Sequence, residues 1–238
     1  MTILGLILFA SFFQTSCGDN RRWDAEVNRI KDSIIAAGST STEKVEGSTE
    51  STESGAVVTI GNQVWTSKNL DVATYRNGDV IPQVQDQNAW ANLTTGAWCY
   101  YDNDASNGTK YGKLYNWYAV HDARGLAPQG FHIPSDAEWT ILTDYLGGEE
   151  AAGTKMKSGT GWVSNGNGTN SSGFAGFPGG CRGRDETFCN IGSYGHWWCA
   201  TENRSNDAWS RYLRCSDGIV DRGNFYKQAA FSVRCLGD

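Results

Sequence analysis

What this chain lacks narrows its function before any motif is read. No apolar run is long enough to cross a bilayer as a mature helix. The stretch from Ile3 to Phe13 falls well short of the ~20 residues a span requires. Positive charge is in deficit, with 20 Lys and Arg against 26 Asp and Glu and a net charge of −6. The molecule as a whole therefore has no attraction for nucleic acid or for an anionic membrane surface. No CxxC pair occurs, and the histidines His121, His132 and His196 are scattered, which opposes a zinc site. There is no Ser-His-Asp order, glycine-rich phosphate loop or metal triad. Asp102 and Asp104 in YYDNDASNG lack the spacing of an EF-hand; so many Asp and Asn residues together read as a turn. No catalytic residue, metal or cofactor is expected, and the chain is not expected to be an enzyme.

The short apolar run instead fits the core of a secretory signal. Thr15 and Ser16 are small and precede Cys17, so residues 1–17 read as a lipoprotein signal with Cys17 acylated. The match is imperfect: no Lys or Arg precedes the run, and Gln14 stands where a lipobox usually has Leu. Acylation would provide a membrane anchor, each buried methylene contributing about 0.8 kcal/mol. Residues 18–37 can form a short helix. Residues 38–55, GSTSTEKVEGSTESTESG, hold one aliphatic side chain, Val45, and no aromatic. That is too little apolar surface to offset the entropy of ordering, so the segment reads as a flexible acidic tether. The expected location is the cell envelope, at the outer membrane or cell surface.

The remaining chain, 56–238, is one domain's worth. The whole sequence has 10 Trp, 10 Tyr and 29 Gly but only 4 Pro and 2 Met, and aromatics can supply much of a core's area. VVTIGNQVWTSKNL (57–70) predicts two strands around a Gly61-Asn62 turn. A second turn is signalled at Asn77-Gly78. Tyr111, Leu114, Tyr115 and Tyr118 recur at helical spacing and predict a helix near 110–120, with the stripe buried. HIPSDAEWTILTDYLGG (132–148) carries the clearest local signal. Ser135 and Glu138 form a capping box; Trp139, Leu142 and Leu146 make the buried stripe; Gly147-Gly148 ends the helix. Glu138 is thereby explained as a cap and not as an acid catalyst. From Gly159 to Gly195 the chain is glycine-rich and loop-like. Beyond it, WWCAT, AWSRYLRC, GIVDR and FSVRC partly alternate as antiparallel strands do.

IGNQVWTSKNL, YGKLYNWYAV, GFHIPSDAEW, TNSSGF, PGG, WWCATE and FSVRC together resemble the Fibrobacter succinogenes major paralogous domain, from about Val57 to Asp238. That family is in turn similar to the formylglycine-generating enzyme and C-type lectin superfamily. The resemblance implies an α+β fold of the C-type lectin-like kind, with two helices, a small twisted antiparallel sheet and long loops. The oxidase chemistry of formylglycine-generating enzymes needs a closely spaced cysteine pair near the C-terminus to bind copper. Here Cys215 and Cys235 are far apart in sequence with no cysteine between them, which speaks against that alternative.

Setting Cys17 aside, Cys99, Cys181, Cys189, Cys199, Cys215 and Cys235 remain. An even number in an exported chain permits disulfides. Many family members have a cysteine where this chain has Ala127, so Cys235 lacks its usual partner and Cys99 becomes an alternative. Spacing allows Cys181–Cys189 to close a short loop and Cys199–Cys215 to clip neighbouring strands.

Between Asn203 and Ala230, a frame of Ala208, Trp209, Arg211, Leu213, Val220, Arg222 and Lys227 resembles the family. Interspersed are Ser210, Tyr212, Arg214, Ser216, Asp217, Ile219, Asp221, Asn224, Phe225 and Tyr226, with Cys215 and Gly223. Tyr, Ser, Asn, Asp and Arg in such a mixture give aromatic area at low entropic cost plus adaptable hydrogen bonds, the chemistry of paratopes. The frame is expected to be core, and the ten interspersed residues to bind a ligand, an unspecified protein or glycan. The pattern also resembles the variable region of retroelement-diversified proteins, where adenine-directed change of Asn codons yields these residue types. A structural envelope protein without a dedicated ligand is the further alternative.

Overall fold

The computed structural model describes residues 56–185 and 187–238. Cys17, the apolar run before it, the helix expected within 18–37 and the tether at 38–55 lie outside the described residues.

Five α-helices occur among the described residues: Gln87–Ala91 (α1), Ala105–Tyr111 (α2), Trp117–Val120 (α3), Asp136–Tyr145 (α4) and Glu149–Met156 (α5). The strands are Val57–Ile60 (β1), Gln63–Thr66 (β2), Trp98–Cys99 (β3), Leu114–Asn116 (β4), Phe131–His132 (β5) and Gly179–Arg182 (β6). Then come Phe188–Ile191 (β7), Tyr194–Arg204 (β8), Asp207–Arg214 (β9), Val220–Tyr226 (β10), Ala230–Phe231 (β11) and Leu236–Gly237 (β12). They build a four-stranded sheet, β1-β2-β12-β5, and a larger one, β10-β9-β8-β6-β11-β4-β3, with β7 on β6. All pairings are antiparallel except β6 with β8. The fold is α+β. No described helix is long and apolar enough to cross a membrane.

Local signals place several elements. Gly61 takes φ +62° in the β1–β2 turn, a conformation glycine adopts without steric cost. The two-residue period then turns Ile60 and Trp65 inward and leaves Val57 and Val64 exposed. In α4 the Ser135 hydroxyl accepts from the Glu138 N–H at 3.3 Å, and the Glu138 carboxylate accepts from the Ser135 N–H at 2.7 Å. Glu138 also meets the His132 ring nitrogen at 3.0 Å. Trp139, Leu142 and Leu146 are buried, and Gly147 and Gly148 follow at φ +105° and +90°.

The helix predicted over 110–120 is broken in two. Gly112, at φ +71°, ends α2, and a Cβ there would come within 2.8 Å of the Leu70 carbonyl oxygen. Leu114–Asn116 is instead a strand between β3 and β11. Sheet neighbours outbid the helical spacing, although Tyr111, Leu114 and Tyr115 are buried as expected and Tyr118 is half-buried.

The segments that carry the family resemblance converge on Asn69. Its Oδ1 accepts from Arg234 Nε at 2.7 Å and from Trp197 Nε1 at 2.9 Å. Its Nδ2 donates to the Tyr111 carbonyl at 2.8 Å and the Ser232 hydroxyl at 3.1 Å. Arg234 is fully buried, also donates to the Thr66 and Ala175 carbonyls, and stacks 4.5 Å over Phe174. Burial pushes its guanidinium down to about 9. One amide thus joins the β2 segment, α2, β8 and the SVRC segment.

The cysteines do not pair as the sequence expectations require. Cys99, Cys181, Cys199, Cys215 and Cys235 are free. Cys199 lies beyond Trp198, which pairs with Ser210, whereas the Cys215 N–H bonds to Ser193 at the other end of the hairpin. The two are about five residues apart along the ladder, roughly 17 Å at 3.4 Å per residue. Cys99 and Cys235 are buried in separate core clusters, Cys99 with Trp90 and Leu114, Cys235 with Tyr115 and Trp198. Cys181 and Cys189 face each other across β6 and β7, their sulfurs 2.8 Å apart.

Candidate functional site

The candidate site is built on β8, β9 and β10, the last being an edge strand. Register sets Val220 opposite Leu213, Asp221 opposite Tyr212, Gly223 opposite Ser210 and Phe225 opposite Ala208. On the other side of β9, His196 lies opposite Tyr212 and Trp198 opposite Ser210. Because side chains alternate across a strand, the three strands divide their residues between two faces.

One face turns toward the helices. Trp197, Leu213 and Val220 are buried there with Trp139 and Leu142 of α4 and Met156 of α5. Arg211 is fully buried, forms an ion pair with Asp136 and donates to the Thr140 hydroxyl at 3.0 Å. Arg222 is exposed, reaches the same carboxylate at 2.8 Å and covers the Trp209 ring at 3.3 Å. Burial raises the Asp136 carboxyl, but hydrogen bonds from Arg222 and Arg211 outweigh it and hold it below its ordinary range. The expected frame is therefore core at Ala208, Arg211, Leu213, Val220 and Lys227, half-buried at Trp209 and exposed at Arg222.

The opposite face is where interspersed residues meet. Tyr212, Arg214, Asp221 and Phe225 share it and are partly exposed. Gly223 has no side chain, so the two rings lie over it: a Cβ there would be 3.0 Å from Phe225 and 3.1 Å from Tyr212. Arg214 pairs with Asp221 at 2.9 Å and with Asp217, in the β9–β10 turn, at 3.4 Å. Burial raises the Asp221 carboxyl above its usual value against the opposing charge of Arg214. Burial also works upward on Asp217, but hydrogen bonds from the Ser216 hydroxyl and the Ile219 N–H, with Arg214 and Lys157 nearby, hold it low. The buried Lys157 ammonium fixes this turn by donating to the Arg214 and Asp217 carbonyls at 3.2 and 2.7 Å.

The other expected residues are placed differently. Ser210 is fully buried and its hydroxyl lies 3.4 Å from the Gly223 carbonyl. It is part of the core and not of the surface, because this end of the face packs into the cluster of Trp198, Ala208 and Phe231. Asn224 is opposite Trp209, on the helix-facing side. Ser216 is exposed and Ile219 half-buried in the turn. Tyr226 is exposed at the far end of β10, with the Arg184 guanidinium 4.6 Å above its ring.

Sequence reasoning missed the aromatic bed beneath this face. His196 stacks on Phe231 at 4.7 Å and on Tyr194 at 5.7 Å, and meets Tyr212 at 5.2 Å and Phe225 at 5.6 Å. It is 5 % exposed, and neither ring nitrogen has a hydrogen-bond partner. Burial pushes its imidazole down to about 3. The alternation of Tyr194 and His196 in YGHWW was the available signal, since it puts both on one side of β8.

No curated protein and no solved structure is significantly similar to the chain. A family model described as the Fibrobacter succinogenes major domain matches residues 58–236. That span takes in the Asn69 junction, the capped helix α4 and the whole two-faced hairpin, so the chain belongs to the Fibrobacter succinogenes major domain family.

Proposed function

We propose that this chain is an envelope lipoprotein, anchored through Cys17, that binds a protein or glycan ligand with the Tyr212–Arg214–Asp221–Phe225 face. The observation that carries this reading is the division of β9 and β10 into a helix-packed side and a partly open side. The first holds the strands in place, so the partly exposed residues Tyr212, Arg214 and Asp221 on the second can change with less effect on the core. The open side offers two aromatic rings beside a cation and two carboxylates, a mixture suited to adaptable recognition. The same division supports a retroelement-diversified surface, and a neighbouring reverse transcriptase gene with an asparagine-rich template repeat would establish it.

Arrays of glycans and peptides, probed with the wild type and a Tyr212→Ala, Arg214→Ala double variant, test the binding reading. The variant is expected to stay folded and to lose at least ~2 kcal/mol of binding, the scale of a hot spot. Phe225 is left intact because it packs edge-on against Phe231 at 5.0 Å. A ligand bound equally by the variant sinks this face as the site. The oxidase reading is weaker because Cys215 packs beside Leu213 and Val220, while Cys235 is buried in the other cluster.

A further inference from the structure

A cleft of about 320 Å³ lies at the opposite end of the hairpin from Arg214, between the loop at 94–96, α3 with its following turn, Glu202 and Lys227. Its size is within the range of small-molecule sites. We propose that this cleft binds one residue of a neutral saccharide. The proposal concerns a second site and does not depend on the hairpin face.

The charges in the cleft are already matched in place. The Lys227 ammonium is buried, donates to Glu202 at 2.5 Å and to the Ser205 carbonyl at 2.9 Å, and sits 4.7 Å from the Trp117 ring. An ammonium has three donors, so one remains beyond these two bonds. Across the cleft, Arg124 pairs with Asp122 at 2.8 Å and with Asp79 at 3.2 Å. A charged ligand group would have to break one of these pairs to be satisfied. A hydroxyl does not: it donates to a carboxylate and accepts from an ammonium or guanidinium at once. Several hydroxyls on one ligand can therefore add to these three ion pairs without separating them.

The wall and rim fit the same chemistry. The exposed His121 ring stacks on Trp117 at 4.5 Å and 12°, and the Trp117 indole is held by a 2.9 Å bond to the Cys199 carbonyl. This gives a fixed flat surface for the C–H face of a sugar ring. Thr94 and Thr95 are exposed at the mouth and supply hydroxyls that donate or accept. Gly96 also lines the cleft, and only glycine fits there, because a Cβ would lie 1.9 Å from the buried Tyr75 hydroxyl.

Saturation-transfer NMR on the full chain tests the proposal, with glucose, galactose, mannose and N-acetylglucosamine as probes and alanine as a zwitterionic control. At least one saccharide is expected to bind. Thr95→Arg, at an exposed position whose longer side chain fills the cleft, is expected to weaken that binding tenfold or more with an unchanged unfolding midpoint. Glu202→Gln is expected to weaken it as well; should it destabilise the fold by leaving Lys227 unpaired, Thr95→Arg still gives the answer. The Tyr212→Ala, Arg214→Ala variant is expected to bind saccharide as the wild type does. Saccharide binding retained by Thr95→Arg, binding lost only in the hairpin variant, a response to alanine alone, or no response to any saccharide would each overturn the proposal.

Discussion

His196→Phe isolates the contribution of one buried imidazole to acid stability. In the folded chain this ring lies between Phe231 and Tyr194, and neither nitrogen is hydrogen-bonded. Burial lowers its pKa from 6.5 to about 3. The unfolded chain therefore binds a proton below 6.5 that the folded chain refuses. Stability is unaffected by this group above 6.5 and falls as the pH drops toward 3, by about 1.4 kcal/mol per pH unit. At about pH 4.5 the loss is about 3 kcal/mol, and it approaches about 5 kcal/mol only below pH 3, comparable to the whole stability of many domains. Phe keeps a flat ring in the stack and cannot titrate. At neutral pH it also removes two unsatisfied polar atoms, each costing about 1–3 kcal/mol, against an overpacking cost of about 1–3 kcal/mol for the larger ring. The neutral-pH change is thus neutral to stabilising, and the pH dependence is the diagnostic quantity. Urea unfolding of both proteins, followed by tryptophan fluorescence at neutral pH and at about pH 4.5, gives it directly. Carboxylates common to both proteins cancel in the comparison. The variant is expected to lose about 3 kcal/mol less than the wild type on acidification. Equal losses would refute the reasoning and show that His196 is hydrated or charged in the folded domain.

Two further outcomes are expected. Asn69→Ala leaves Arg234 Nε and Trp197 Nε1 without their acceptor, so unfolding should be easier by about 3 kcal/mol or more, from two buried donors at about 1–3 kcal/mol each; a change below about 1 kcal/mol in chemical denaturation would mean that the junction is not structural. Cys17→Ala should abolish acyl labelling and release the protein from membranes, and unchanged labelling with unchanged membrane partition would show that Cys17 is not the anchor.

Several features were legible in the chain because their causes are local. The α4 capping box involves residues three apart, the β1–β2 turn needs a glycine at φ +62°, and alternation along β9 and β10 assigns most frame residues to the core. Each is set by neighbours within a few positions. Tyr111, Leu114 and Tyr115 show where such signals stop. Their spacing fits a helix, but Leu114–Asn116 pairs with β11, more than a hundred residues away, and sheet hydrogen bonds override the period. Ser210 fails for a related reason: Phe231, which closes its end of the face, belongs to another strand.

Composition and motif order thus determined an α+β domain of this family and the stretch of chain on which its candidate face stands. Tertiary structure alone decided that Cys199 and Cys215 are kept apart, that Asn69 joins four segments, that His196 is buried without a partner, and that Lys227 and Glu202 meet His121 around a cleft. The physical reason is range. Capping, turns and alternation act between residues close in sequence, whereas burial and long-range pairing depend on which distant segments the closed sheets bring together.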